Sequence, residues 1–337
     1  LVVDTQTDLY TIDPSLFKGV RARPAGRTPR WLKIGVDGDT GQGKTFLYGT
    51  IVECVPEFVK RPLYVDIEGG ALTIADREID VVTIRSWKEF ISFYDEFYMM
   101  VYQPDKWYER TKKRLEEGKE VWIAHRYDAV CLDSITELDK LIMMDVMDEV
   151  VRQDSKRDPE VPAPREWGKG SEKLRNVVRE FRNMPVHCVF IFLQIEKPDP
   201  ITNEDKIRPN VHGKLAGEIP GFLDILGHLS VSTRYVTPKG TTKSVEIRER
   251  TMRFQPSGKY IAKDRSGRLG DKMMDPTMLR IMRPILEGHA LYQTVQGLTG
   301  EIEGEAEDEE RGYNTEGWTP TDESAASVDE ATDTVTA

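Results

Sequence analysis

The sequence predicts an α/β fold: a mainly parallel sheet with helices on both faces and late antiparallel strands. Three observations carry that expectation. Short apolar runs alternate with longer helical stretches from Trp31 to Leu193, the order produced when crossover helices link parallel strands. A glycine-rich turn, Gly38-Asp39-Thr40-Gly41-Gln42-Gly43-Lys44-Thr45, separates the first apolar run from the first helix. Late in the chain, Leu229–Val236 and Ser244–Glu249 flank Pro238-Lys239-Gly240, a combination suited to a hairpin turn.

Taken in order, residues 1–30 show little periodicity and carry Pro14, Pro24 and Pro29. Between Lys18 and Lys33 lie six basic residues and no acidic one, so this N-terminal arm is either solvated or touches phosphate or a neighbouring subunit. Trp31–Val36 reads as a buried strand and Thr45–Val52 as a helix start. Pro62–Ile67 is a second strand, followed by Glu68-Gly69-Gly70, and Val81–Ile84 a third. Trp87–Tyr102 reads as a helix, whose aromatics at Phe90, Phe93 and Phe97 are assigned to packing by their spacing, and a charged helix around Trp107–Lys119 follows. Ala129–Asp133 is a buried strand ending in a carboxylate, with a helix over Ile135–Arg152 after it.

Residues 153–166 are polar and hold Pro159, Pro162 and Pro164, the composition of a loop. A basic helix, Gly170–Arg182, leads into the strand Val186–Leu193, which ends at Gln194. Residues 196–214 read as a long exposed loop. Lys259–Ala262 is expected as a strand, and 271–296 as helix interrupted by Pro276 and Pro284. The core is therefore expected to span 31–298, between the basic arm 1–30 and an acidic tail, 299–337, too polar to fold alone.

The formal net charge of −11 is unevenly distributed. Residues 301–337 hold 13 of the 58 acidic residues and one of the 47 basic ones, which leaves a nearly neutral body of 46 basic and 45 acidic residues. Within that body, residues 234–270 carry ten basic and three acidic residues. The three cysteines sit apart among apolar residues and the five histidines do not cluster, which argues against disulfide scaffolds and zinc sites. Without a long apolar run or a signal-like start, the expectation is a cytoplasmic protein with no membrane partner.

Gly38 to Thr45 fits G-x-x-x-x-G-K-[ST] at every fixed position. Glycines let successive backbone N–H groups face phosphate oxygens, the lysine reaches the β/γ-phosphates, and the hydroxyl binds Mg²⁺. The eight residues Gly38, Asp39, Thr40, Gly41, Gln42, Gly43, Lys44 and Thr45 are thus expected to hold a nucleoside triphosphate. Asp133, at the end of a buried strand, is the second metal-side candidate beside Thr45, and Glu68 the candidate general base.

Four segments then resemble one family. LYVDIEGGAL is similar to the RecA-type strand that ends in the catalytic glutamate, and AVCLDSITEL to the RecA-type strand with its Asp-Ser pair. VFIFLQIEK resembles the strand ending in a switch glutamine, and YIAKDRSG the basic element that reaches a neighbour's ATP. The resemblance covers about residues 31–270 and implies a RecA-type P-loop ATPase core using ATP and Mg²⁺. It implies Glu68 as base, Lys44 and Asp133 at the phosphates and metal, and Gln194 as γ-phosphate sensor. Lys263 and Arg265 become charge-stabilising fingers acting in trans. The loops 153–166 and 196–213 correspond to those that face single-stranded DNA.

The stretch 87–119 is longer than in bacterial RecA, the second loop lacks its glycines, and no sizeable terminal domain is visible. Those departures look more like the phage-encoded RecA-like ATPases of single-strand annealing and recombination. The expected partners are single-stranded DNA, further copies of the chain in a filament or ring with ATP at the interfaces, and a protein for the acidic tail. Three alternatives stay open: a helicase or helicase loader, a nucleotide-dependent assembly module with weak hydrolysis, and a GTPase suggested by Asp66-Ile-Glu-Gly69. The last lacks a guanine-reading N/T-K-x-D, since Glu196-Lys-Pro-Asp199 has the wrong first residue.

Overall fold

The computed structural model describes residues 31–198, 203–236 and 245–287. The elements are β1 (Lys33–Gly38), α1 (Lys44–Gly49), β2 (Pro62–Asp66), β3 (Asp80–Thr83), α2 (Trp87–Tyr102) and α3 (Pro104–Glu116). They continue with β4 (Ala129–Asp133), α4 (Ile135–Gln153), α5 (Pro164–Asn183), β5 (His187–Pro198), β6 (Asp205–Pro209) and α6 (Leu215–Phe222). β7 (Ile225–Val236), β8 (Val245–Arg253), β9 (Lys263–Asp264) and β10 (Lys272–Met274) follow, and residues 278–287 are helical.

The sheet runs β10-β8-β7-β1-β5-β4-β2-β3, with β6 beside β5 and β9 beside β7. All pairings from β7 to β3 are parallel, and β8, β9, β10 and β6 pair antiparallel. This is the α/β architecture the sequence predicts. Strand residues alternate between two cores, as a period of two requires. Leu63, Val65, Phe190 and Phe192 pack with α2, α4, α5 and α6. Ile34, Val36, Tyr64, Val189 and Ile191 pack with α1 and the closing helix. A Cβ on Gly35 would come within 2.5 Å of Leu223, so glycine is what lets β1 approach that side chain. No helix among the described residues is long and apolar enough to cross a membrane.

Several local expectations are corrected. The helix after the glycine loop ends at Gly49 and tightens into a 3₁₀ turn, Thr50–Cys54. There Thr50 Oγ1 bonds back to Leu47 O at 2.7 Å, the competition that hydroxyl side chains offer helical backbone. The two helices expected at Trp87–Tyr102 and around Trp107–Lys119 are present as α2 and α3, but the second starts earlier, at Pro104, a residue suited to a first helical turn. The helix expected from Gly170 already starts at Pro164, where proline suits a first position and Glu166 accepts from Ala163 N at 2.7 Å.

Residues 196–214 are not one long loop. β5 extends to Pro198 and β6 returns along it, pairing Gln194 with Pro209 and Glu196 with Ile207. Backbone pairing satisfies this hairpin while most of its charged side chains stay in solvent. The strand expected at Lys259–Ala262 reduces to a single bridge between Tyr260 and Ile207. Pairing falls instead on Lys263 and Asp264. The helix expected over 271–296 begins with β10, which pairs with β8. The arm 1–30, the turn Pro238–Gly240, the helix beyond 287 and the tail 299–337 lie outside the described residues.

Candidate functional site

β1 delivers the glycine loop at the carboxyl edge of the parallel sheet, where α/β proteins place their ligands. Gly41 and Gly43 have φ of 78° and 86°, a left-handed conformation that glycine adopts without steric cost. A Cβ on Gly38 would lie 2.5 Å from Leu229 O, so the β7 backbone also requires glycine there. Gln42 is tied to the same strand, its side-chain oxygen accepting from Val231 N. The Lys44 side chain curls over its own loop, donating to Gly38 O at 2.9 Å and Asp39 O at 2.8 Å. Burial pulls the ammonium below its ordinary range, and Asp133 and Glu68 oppose that shift.

Thr45 Oγ1 donates to Asp133 Oδ2 at 2.6 Å, and Tyr64 Oη donates to the same oxygen at 2.8 Å. Asp133 is 3% exposed. Burial pushes its carboxyl up to about 6, against the hydrogen bonds from Thr45 and Tyr64 that favour the ionised form. The strand register sets Asp66 opposite Asp133. The two strand ends are locked together, since Ile67 N and Glu68 N both donate to Asp133 O, at 2.7 and 3.1 Å.

Asp66 then shapes the turn beyond: its Oδ1 accepts from Gly69 N at 2.7 Å and Gly70 N at 2.8 Å. That turn holds Glu68 exposed at the rim of a cavity of about 360 Å³, which Lys44, Thr45, Phe46 and Asp133 also line. At the outer end of this cavity the Phe46 ring lies 4.3 Å from the Arg250 guanidinium and 5.6 Å from that of Arg77.

On the other side of the loop, β5 pairs with β1 so that Leu193 stands opposite Gly38. Gln194, one residue further, is therefore at the same sheet edge as the glycine loop. Leu193 N donates to Thr136 Oγ1 at 3.1 Å, which ties this part of β5 to α4. Behind the loop, Asp37 is fully buried 3.2 Å from His228 Nδ1, and Asp37 Oδ1 has no hydrogen-bond partner among the described residues. Burial raises the Asp37 carboxyl and the His228 contact lowers it.

Lys263 and Arg265 are elsewhere. β9 pairs with Ile225 and Leu226, which lie beside the start of β1. That is the sheet edge opposite the glycine loop. Lys263 Nζ donates to Pro220 O at 2.6 Å, and Arg265 reaches Gly221 O at 3.2 Å and Asp224 Oδ1 at 3.4 Å. Neither touches its own chain's loop. The structure thus brings Lys44, Thr45, Glu68 and Asp133 together around one cavity, places Gln194 at the same sheet edge as the glycine loop, and separates the two basic residues from it.

Sequence reasoning missed Tyr64, Thr136, Phe46 and Arg250, and it singled out Asp66 only within the Asp66–Gly69 GTPase pattern, not as the acceptor of this turn. Asp66 carries a local signal, since an aspartate two residues before a Glu-Gly-Gly turn can accept the turn's N–H groups. Arg250 carries none, because only strand pairing brings β8 toward the loop.

The donors fit a hard divalent cation beside phosphates. Mg²⁺ uses one or two protein oxygens and fills its remaining positions with water and phosphate, and the Thr45 hydroxyl and Asp133 carboxylate are adjacent oxygens here. No group of three or more His, Cys, Asp or Glu suited to a metal occurs among the described residues.

A parallel sheet with this glycine loop, two strand-end acids beside it and late antiparallel strands defines a RecA-like P-loop ATPase. The AAA domain family AAA_24 matches residues 30–266, and the chain belongs to that family. Among solved structures, the KaiC-like protein PH0186 from Pyrococcus horikoshii OT3 is 12% identical, with 65% of this chain and 83% of that one covered and a TM-score of 0.26. The flagellar accessory protein FlaH from Methanocaldococcus jannaschii is 10% identical, with 65% and 76% covered and a TM-score of 0.25. No curated protein matches.

Proposed function

We propose that this chain is an ATPase that binds single-stranded DNA in phage-type recombination or strand annealing, working as an oligomer with ATP at its subunit interfaces. The observation that carries the ATPase reading is the Thr45–Asp133 hydrogen bond, 2.6 Å, in a cavity shared with Lys44 and Glu68. On binding, the triphosphate replaces the carbonyl oxygens of Gly38 and Asp39 as the partner of Lys44. Thr45 and Asp133 would hold Mg²⁺, which would supply charge neutralisation of the phosphates.

Glu68 takes the proton of the attacking water as its oxygen bonds to the γ-phosphorus, and the bond to the β-phosphate oxygen breaks to release ADP. Gln194 reports the γ-phosphate to the β5–β6 hairpin. Lys263 and Arg265 stand at the sheet edge opposite their own loop, so the finger role that the resemblance gives them is assigned to the neighbour's nucleotide. The DNA reading draws on the basic stretch 234–270 and the resemblance of the loops; basic clusters supply most sequence-independent affinity for nucleic acid. The acidic tail acts as a competitor for those basic groups or as a protein-binding segment.

The test is phosphate release with and without single-stranded DNA, for the full chain and for a truncation ending at Gly300. Stimulation by DNA is expected, stronger after truncation if the tail competes. Absence of both stimulation and DNA binding overturns the recombination reading. ATP-driven displacement of a duplex strand would move the assignment to a helicase.

A further inference from the structure

We infer that Tyr64 is a positioning residue of the ATP site, whose phenol couples the Asp133 carboxylate to the turn that carries Glu68. The inference rests on the ATPase reading above and deepens it. Tyr64 stands in β2 and is fully buried. Its ring stacks on Tyr48 of α1, with centroids 6.0 Å apart and 29° between the planes. Tyr48 is itself pinned, its Oη donating to Leu63 O at 2.7 Å. Phenylalanine at position 64 would fill the same volume and keep this stack, so packing does not call for the hydroxyl. A buried phenol needs a partner, and here the partner is the strand-end acid: Tyr64 Oη donates to Asp133 Oδ2 at 2.8 Å.

Thr45 Oγ1 donates to the same oxygen at 2.6 Å. With both hydroxyls on Oδ2, Oδ1 is left as the oxygen that would face a bound ion. The two donors differ in their duties. Thr45 is also a candidate metal ligand, so its oxygen has a second task when Mg²⁺ and nucleotide bind. Tyr64 is fixed by its stack on α1 and has no such task. Its bond therefore holds the carboxylate whichever way the threonine hydroxyl turns.

The same phenol lies under the Glu68 turn. Gly70 closes that turn, its N–H on Asp66 Oδ1 at 2.8 Å. A φ of −88° and ψ of −1° at Gly70 are open to any residue, so the backbone does not require glycine there. Space does. A Cβ on Gly70 would stand 3.0 Å from Tyr64 Oη and 3.4 Å from Thr45 Oγ1. The turn is thus seated on the two hydroxyls that grip Asp133, and Tyr64 Oη is the nearer. Through that one oxygen, the height of the Glu68 turn and the orientation of the metal-side carboxylate are set together.

The test is a double-substitution cycle on the full chain: Tyr64→Phe, Gly70→Ala and both together. ATP affinity is measured by calorimetric titration with Mg²⁺ and with EDTA, turnover by phosphate release, and folding by thermal melts. Tyr64→Phe should leave affinity in EDTA within about twofold, while the gain from Mg²⁺ and kcat each fall about tenfold, the scale of one hydrogen bond to a charged group. Gly70→Ala should lower kcat about tenfold by lifting the turn. In the Tyr64→Phe background the same methyl should cost less than about twofold, since the oxygen it meets is gone. An unchanged Mg²⁺ gain in Tyr64→Phe, or a loss of affinity equal with and without Mg²⁺, overturns the positioning role. Independent effects, about a hundredfold in the double variant, overturn the coupling to the Glu68 turn. If Tyr64→Phe melts too early to assay, Gly70→Ala decides alone, and wild-type kcat in that variant overturns the inference. Absent or Mg²⁺-indifferent ATP binding by the wild type overturns the ATPase reading with it.

Discussion

Thr45 Oγ1 sits 2.6 Å from Asp133 Oδ2 across 88 residues of sequence. Tyr64 donates to that same oxygen, so one carboxylate oxygen gathers a hydroxyl from the glycine loop and a phenol from β2. With its partners in place the carboxyl still titrates near 6, because burial outweighs them.

Replacing that carboxylate separates stability from function. Folding raises the Asp133 pKa from 3.8 to about 6, so the folded state binds more protons than the unfolded one between those values. Stability from this group is present at low pH and lost as pH rises through 6. Asp133→Asn should therefore stabilise the nucleotide-free protein at pH 7 by about 1–3 kcal/mol, at one to two pKa units' worth of free energy. It should also weaken Mg²⁺-dependent ATP binding at least tenfold. Thermal melts from pH 5 to 8 and nucleotide titrations with and without Mg²⁺ check both; equal destabilisation at all pH values would contradict the first.

Glu68 is exposed at the cavity rim and its backbone, not its side chain, is anchored. Glu68→Gln should leave ATP affinity within a few fold while turnover falls by roughly 10²–10⁴, the range for loss of a general base. Phosphate release alongside a binding titration separates the two. Preserved turnover would remove Glu68 from the role.

Asp66 offers a test of positioning. Asp66→Ala leaves Gly69 N and Gly70 N without their acceptor, an unsatisfied-donor cost of about 1–3 kcal/mol. The Glu68 turn should loosen, so kcat is expected to drop about tenfold with little change in ATP affinity. Asp66→Asn, which keeps an acceptor oxygen, should recover part of it.

The fingers are tested by mixing subunits. Lys263→Ala,Arg265→Ala chains keep an intact loop, and Lys44→Ala chains keep intact basic residues. Each alone should be nearly inactive. Mixed oligomers should regain measurable ATP turnover, because some interfaces combine a good loop with good fingers. No recovery over a range of mixing ratios would count against action in trans.

Much of the fold was legible because its signals are local. The glycine loop is readable from residue types alone, and Asp133 and Glu68 each sit just past a short apolar run. The misreadings have a shared cause. The 196–209 hairpin looked like loop because its composition is polar, yet its ladder is made by backbone groups that composition does not report. Pro164 looked like a loop residue because a proline fits both a loop and the first turn of a helix.

Residue chemistry in the sequence was enough to set the α/β class and to single out the glycine loop and the two acids as candidates, since each depends on side chains only a few positions apart. Strand order was beyond it. That β4 lies between β2 and β5, with β5 against β1, follows from how the whole chain buries its two cores, and no local period encodes it. Only that order brings Asp133 to Thr45, carries Arg250 over Phe46 and sends Lys263 and Arg265 to the far edge of the sheet.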